Sequence, residues 1–99
     1  MLTVYKTKGK VIEYPGMGSW HFISVPKKES VSIKATFGEM KRGFGSLRVI
    51  AKIGKTKWKT SIFPDSKTGT YLLPLKKEVR KNEQVKVGDT IKFGLEILV

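Results

Sequence analysis

From Leu47 to Phe63 the chain alternates with a period of two, and a single short break interrupts it. Leu47, Val49, Ala51 and Ile53 fall on one side, with Arg48, Ile50 and Lys52 between them. After Gly54-Lys55-Thr56, Trp58, Thr60 and Ile62 alternate in the same way with Lys57, Lys59, Ser61 and Phe63. That period sends successive side chains to opposite faces of an extended strand, and a break this short, holding a glycine, joins two such strands as a β-hairpin.

The other segments read as strands as well. Leu2 to Tyr14 alternates in part, through Val4, Val11, Ile12 and Tyr14, which predicts a long strand bent at Gly9. Pro15-Gly16-Met17-Gly18 predicts a turn, because proline fixes one dihedral and glycine permits positive ones. Ser19 to Val25 follows as a strand antiparallel to the first, with Trp20 and Phe22 on one side and His21, Ile23 and Val25 on the other; Pro26 stops it. Ile33, Phe37 and Met40 recur at spacings of four and three, which predicts a helix from Lys27 that ends at Gly43-Phe44-Gly45.

Pro64 to Gly69 is a turn cluster, Thr70 to Leu73 a short strand closed by Pro74, and Lys76 to Glu83 a short surface helix packed by Leu75 and Val79. In the loop from Val85 to Asp89, Gly88 supplies a positive dihedral and Asp89 accepts backbone N–H bonds. Thr90 to Val99 closes the chain as a strand with Ile91, Phe93, Leu95 and Ile97 on one face. Six strands with two short helices and no βαβ rhythm predict an all-β fold, a six-stranded β-barrel of the double-split type, in one small domain over residues 1–99.

The 99 residues carry 20 Lys+Arg against 8 Asp+Glu, a formal net charge of +12, yet 39% hydrophobic residues leave enough apolar mass for a core. Each half of the chain nets +6, so no basic tail holds the excess. The absence of cysteine and the single histidine, His21, argue against disulfides, thiol catalysis and ordinary zinc sites. No segment has the apolar length of a membrane span or the order of a secretion signal, and the expectation is a cytoplasmic protein with no membrane contact.

Enzyme motifs fail on inspection. Gly54-Lys55-Thr56 resembles the end of a phosphate-binding loop, but that motif needs a glycine where Val49 stands and a helix where a strand is predicted. His21 has no hydrolytic partner in Ser19, Ser61 or Asp65 at a meaningful spacing, and the carboxylates are too scattered for a hard cation. The expectation is therefore no enzyme, no cofactor and no metal.

What remains is basic and aromatic. If Trp58 points inward, Lys57 and Lys59 point outward beside Arg48 and Lys52, and with Lys55 at the tip they form a basic ribbon able to follow a phosphate backbone. The same lysines also suit a solvated face protected from edge pairing. Lys76, Lys77, Arg80 and Lys81 form a second cluster on the short helix, where Arg80 has Asp89 and Glu83 as alternative ion partners. A nucleic acid or other polyanion is the leading partner. The alternative is a small-molecule pocket walled by Trp20, Trp58 and Tyr71 with Arg80 or Lys59 as its polar anchor, and a third reading is an interaction module for a partner protein domain.

Val49, Ile53-Gly54, Thr56, Trp58-Lys59-Thr60-Ser61-Ile62-Phe63-Pro64, Tyr71-Leu72-Leu73-Pro74, Lys77, Val79-Arg80 and Gly88-Asp89 resemble the small-barrel family catalogued as domain of unknown function nineteen-oh-five. Pro15-Gly16 followed by Trp20 and Phe22 matches its amino-terminal part. The resemblance implies a small β-barrel, found alone or joined to bacteriocin-protection-like domains, with no activity established for the family. Leu73 to Arg80 and Gly88-Asp89-Thr90-Ile91 are also similar to half of a swapped-hairpin AbrB-type barrel, a group that binds DNA as dimers; shape alone does not transfer that function.

Overall fold

A computed structural model describes residues 3–14, 20–40 and 45–98. The turn expected at Pro15–Gly18, Ser19 at the start of the second expected strand, Gly43-Phe44, Leu2 and Val99 lie outside the described residues, as does the side chain of Met40. The elements are β1 (Val4–Glu13), β2 (His21–Ser24), α1 (Lys27–Phe37), a 3-10 turn (Gly38–Met40), β3 (Leu47–Ile53), β4 (Thr56–Asp65), β5 (Thr70–Pro74), α2 (Lys77–Asn82) and β6 (Thr90–Ile97). Within one chain the six strands close a barrel in the order β1-β2-β5-β4-β3-β6, and every neighbouring pair is antiparallel.

Alternation fixes which faces turn inward. Leu47, Val49, Ala51 and Ile53 of β3 are buried and Arg48 and Lys52 are exposed. In β6, Phe93, Leu95 and Ile97 are buried while Lys92 and Glu96 are exposed. Ile23 and Val25 are fully buried, whereas Trp20 stands 52% exposed, stacked on Phe22 at a centroid distance of 6.0 Å.

β1 serves two partners. Val4 to Lys10 pair with β6 and Val11 to Glu13 with β2, so the strand turns a corner of the barrel at Gly9. A side chain there would collide with the Ser24 carbonyl and come within 2.7 Å of Ile23 Cγ2. Glycine is what lets the two strands pack this closely.

The helices sit at opposite ends of β4. Ser30, Ile33 and Phe37 form the buried stripe of α1, and the Ser30 hydroxyl donates to the Val25 carbonyl at 3.0 Å while accepting the Tyr71 N–H at 3.0 Å. Fully burying Ile33 and Phe37 contributes roughly 2–3 kcal/mol each, far more than the few tenths that the β-branched residues cost the helix. At the other end Val79 anchors α2, and Glu83 accepts a 2.6 Å hydrogen bond from the Thr56 hydroxyl.

The Gly88-Asp89 turn behaves as its chemistry dictates. Gly88 has φ +94°, the Asp89 carboxylate accepts the Lys86 N–H at 3.0 Å, and Val11 exchanges backbone hydrogen bonds with the turn at 2.9 Å.

Two boundaries differ most from expectation: α1, expected to reach Gly43, ends at Phe37 and passes into the 3-10 turn Gly38–Met40, and β4 runs past Pro64. Pro64, read as the start of a turn, lies inside β4, and the turn is confined to Ser66–Gly69. Gly54 and Lys55 alone separate the paired residues Ile53 and Thr56, so that pair must exchange both hydrogen bonds, and hydrogen-bonded pairs recur at every second position. Even-numbered residues of β4 therefore direct their N–H and C=O groups toward β3, whose pairing ends at Leu47 with Ile62. Pro64 lacks its N–H where no β3 residue remains to receive it.

Candidate functional site

The register gathers lysines from four strands on one outward face. Lys57 is opposite Lys52, Lys52 is opposite Gly94, and Gly94 is opposite Lys6. In the next row Lys92 is opposite Lys8. Lys6, Lys8, Lys52, Lys92 and Gly94 line a surface groove of about 640 Å³. Gly94 contributes no side chain, so its position forms the floor between Lys52 and Lys6. All five lysines are exposed, and among the described residues none has a carboxylate within ion-pair distance.

Two of these contacts are lysine directly across from lysine. Like charges in that position destabilise a sheet by roughly 0.2–1 kcal/mol, and Lys52 with Lys57 is the non-hydrogen-bonded kind of pair, whose side chains are closest. A bound anion removes that repulsion.

A second groove exists because one seam of the barrel is incomplete. β4 meets β5 only from Phe63 to Asp65, against Thr70 to Leu72. Continuing that register two residues would bring Ser61 opposite Pro74 in a hydrogen-bonded position, and Pro74 has no N–H to give. β5 instead continues along β2, where the Leu75 N–H donates to the His21 carbonyl at 2.8 Å. The resulting split, about 350 Å³, is walled by Trp58, Lys59 and Thr60 on one side and Pro74, Leu75, Lys76 and Arg80 on the other, with Trp20 and His21 at its end.

The sequence matches the family described as Domain of unknown function (DUF1905) over residues 8–95, from the middle of β1 into β6. The chain belongs to this family. No curated protein matches it.

In this DUF1905 domain Lys52 is the one residue singled out from sequence that lines the first groove, Trp20, Trp58, Lys59, Lys76 and Arg80 line the second, and Arg48, Lys55 and Lys57 line neither. Arg48, Lys52, Lys55, Lys57 and Lys59 are all exposed on the β3–β4 hairpin, as the alternation predicts. Lys6, Lys8 and Lys92 complete the lysine face and were missed, because only the β1–β6 ladder brings them to the hairpin. The signal available was their own alternation, Lys6-Thr7-Lys8-Gly9-Lys10, once β1 was paired with the last strand.

Of the basic residues around α2, Lys76 and Arg80 face the split, whereas Lys77 and Lys81 are exposed and line neither groove. Arg80 pairs with neither Asp89 nor Glu83. Its Nε donates to the Leu75 carbonyl at 3.2 Å and Nη1 lies 3.5 Å from His21 Nε2, so the guanidinium is held by the chain end that Pro74 diverts. His21 Nε2 is also 3.6 Å from Glu13.

Trp20 and Trp58 share the split, but Tyr71 does not. Tyr71 lies beside α1, lining another groove with Ser30 and Lys27, and burial pushes its phenol above the ordinary tyrosine value. Tyr14 is raised too, by burial first and then by Asp65, whose carboxylate accepts its hydroxyl at 3.3 Å. Among the described residues no group of three or more His, Asp or Glu side chains is placed to hold a metal ion. No described helix is long and apolar enough to cross a membrane.

Proposed function

We propose that this domain is a non-catalytic binding module whose β4–β3–β6–β1 face holds a polyanion, with the phosphate backbone of a nucleic acid as its ligand. The observation that carries the reading is the pair of lysine–lysine oppositions, Lys52 with Lys57 and Lys8 with Lys92, flanking a glycine-floored groove. Lysines that only keep a protein soluble gain nothing from standing directly opposite one another; lysines that face a phosphate backbone do, because its charge offsets their repulsion. Backbone contact of this kind positions a nucleic acid without reading its sequence.

The test is fluorescence anisotropy with labelled duplex and single-stranded oligonucleotides across a salt series. Five lysines each neutralising one phosphate give a slope of log K against log salt of about −4.5 on duplex and about −3.5 on single strands. Lys8→Ala/Lys92→Ala removes two contacts and flattens the duplex slope by about 1.8. A slope that this double variant leaves unchanged, or no saturable binding at low salt, refutes the assignment.

A further inference from the structure

The split between β4 and β5 presents an open strand edge. Because Ile53 and Thr56 form a hydrogen-bonded pair, Lys57, Lys59 and Ser61 direct their N–H and C=O groups away from β3, toward β5. The ladder of β4 with β5 begins only at Phe63, and among the described residues no loop backbone group is bonded to these three. Such a row of donors and acceptors at 3.3–3.4 Å per residue is a template for one more extended chain.

The walls specify that chain. Lys59, Lys76 and Arg80 line the split and no carboxylate does, while Trp58 and Leu75 supply apolar floor and Trp20, half exposed, an aromatic rim. Arg80 is anchored by the Leu75 carbonyl with Nη1 turned toward His21, so its charge is positioned before any ligand arrives. A strand in this place has one side-chain row against the tryptophan and one row toward the cations.

We infer that the split binds an acidic peptide segment in extended conformation, added as a strand along Lys57–Ser61. Its backbone completes the ladder that Pro74 prevents β5 from making. Its apolar side chains meet Trp58 and Trp20, and its carboxylates meet Lys59, Lys76 and Arg80. This is strand addition to a sheet edge, in which main-chain bonds supply affinity and alternate side chains supply selectivity. The split shares no lining residue with the groove around Gly94, and only Lys57 belongs both to the lysine face and to the open edge.

The probe is a blocked peptide of alternating glutamate and valine, titrated into the full chain and followed by amide hydrogen exchange in NMR spectra and by tryptophan fluorescence. Slowed exchange at Lys57, Lys59 and Ser61, together with a saturable fluorescence change, is the expected result. The same peptide N-methylated at alternate residues on its pairing edge loses binding, because it cannot complete the ladder. Lys76→Glu weakens the unmethylated peptide by about tenfold, whereas Lys8→Glu/Lys92→Glu leaves it within about twofold.

Three results overturn the inference. They are equal affinity for the methylated peptide, peptide binding that disappears in Lys8→Glu/Lys92→Glu but survives Lys76→Glu, and saturable binding without slowed exchange at the three edge amides. Loss of oligonucleotide binding in the lysine-face variants bears on the proposed function alone.

Discussion

Replacing Gly9 by alanine tests the barrel corner, with Gly94→Ala as its internal reference. Both glycines lie in strands that are paired on both sides, so alanine brings the same propensity gain to each, roughly 0.5–1 kcal/mol. Their surroundings differ. At Gly94 the nearest atom to an added methyl is the Tyr5 carbonyl oxygen at 3.7 Å, an ordinary contact. At Gly9 the methyl collides with the Ser24 carbonyl and lies 2.7 Å from Ile23 Cγ2 and 3.3 Å from a Phe93 ring carbon. Ser24 is main chain, so relief requires β2 to move away from β1 and not merely a side chain to rotate.

Overpacking of this kind costs roughly 1–3 kcal/mol, and backbone involvement puts the expected difference between the two variants at about 2 kcal/mol. For a chain of this size that separates their melting temperatures by about 8–16 °C. Circular dichroism melts and urea midpoints measure it: Gly94→Ala at or slightly above the parent, Gly9→Ala well below. Two variants melting within about 3 °C of each other refute the claim that β1 and β2 are pinched together at this corner.

Ser30→Ala leaves the buried Tyr71 N–H and Val25 carbonyl without their shared hydroxyl, and urea denaturation should show a loss of about 1–3 kcal/mol with an unchanged m-value. Tyr71 has a raised pKa, so its contribution is complete below the ordinary tyrosine value near 10 and is lost as pH rises through the higher folded value. The parent should therefore lose more stability than Tyr71→Phe between pH 9 and pH 11, and absorbance titration at 295 nm should lose a late component in the variant; equal losses refute it.

What was legible in the sequence was local. The β3–β4 hairpin, β6 and the buried stripe of α1 are written in spacings of two or of three and four, and each decides its own burial. What was not legible depended on register between distant segments. Lys8 and Lys92 meet only after β1 pairs with β6, and nothing in either segment announces the other. Pro64 and Pro74 both break a strand by their chemistry, yet one is accommodated inside β4 and the other opens a seam. The difference is only which neighbour the missing N–H would have faced. Arg80 had plausible acidic partners nearby in sequence, but the chain leaving Pro74 carries the Leu75 carbonyl to its guanidinium first.

The same seam sets the order in which the barrel comes apart. Long ladders join β1 to β6 over Val4–Lys10 and β3 to β4 over Leu47–Ile53, whereas β5 is held to β4 over Phe63–Asp65 and to β2 over Phe22–Ser24. Opening the circle therefore needs only the short β4–β5 stitch to break, and it leaves the β1–β6–β3–β4 sheet intact as a cooperative unit. β5 and β2 swing as a flap hinged on β1, with α1 travelling along through the Ser30 bridge to Tyr71. A barrel of this construction has one wall of three-residue ladders, β1–β2, β2–β5 and β4–β5, and subglobal openings run through that wall while the opposite one keeps its amides protected.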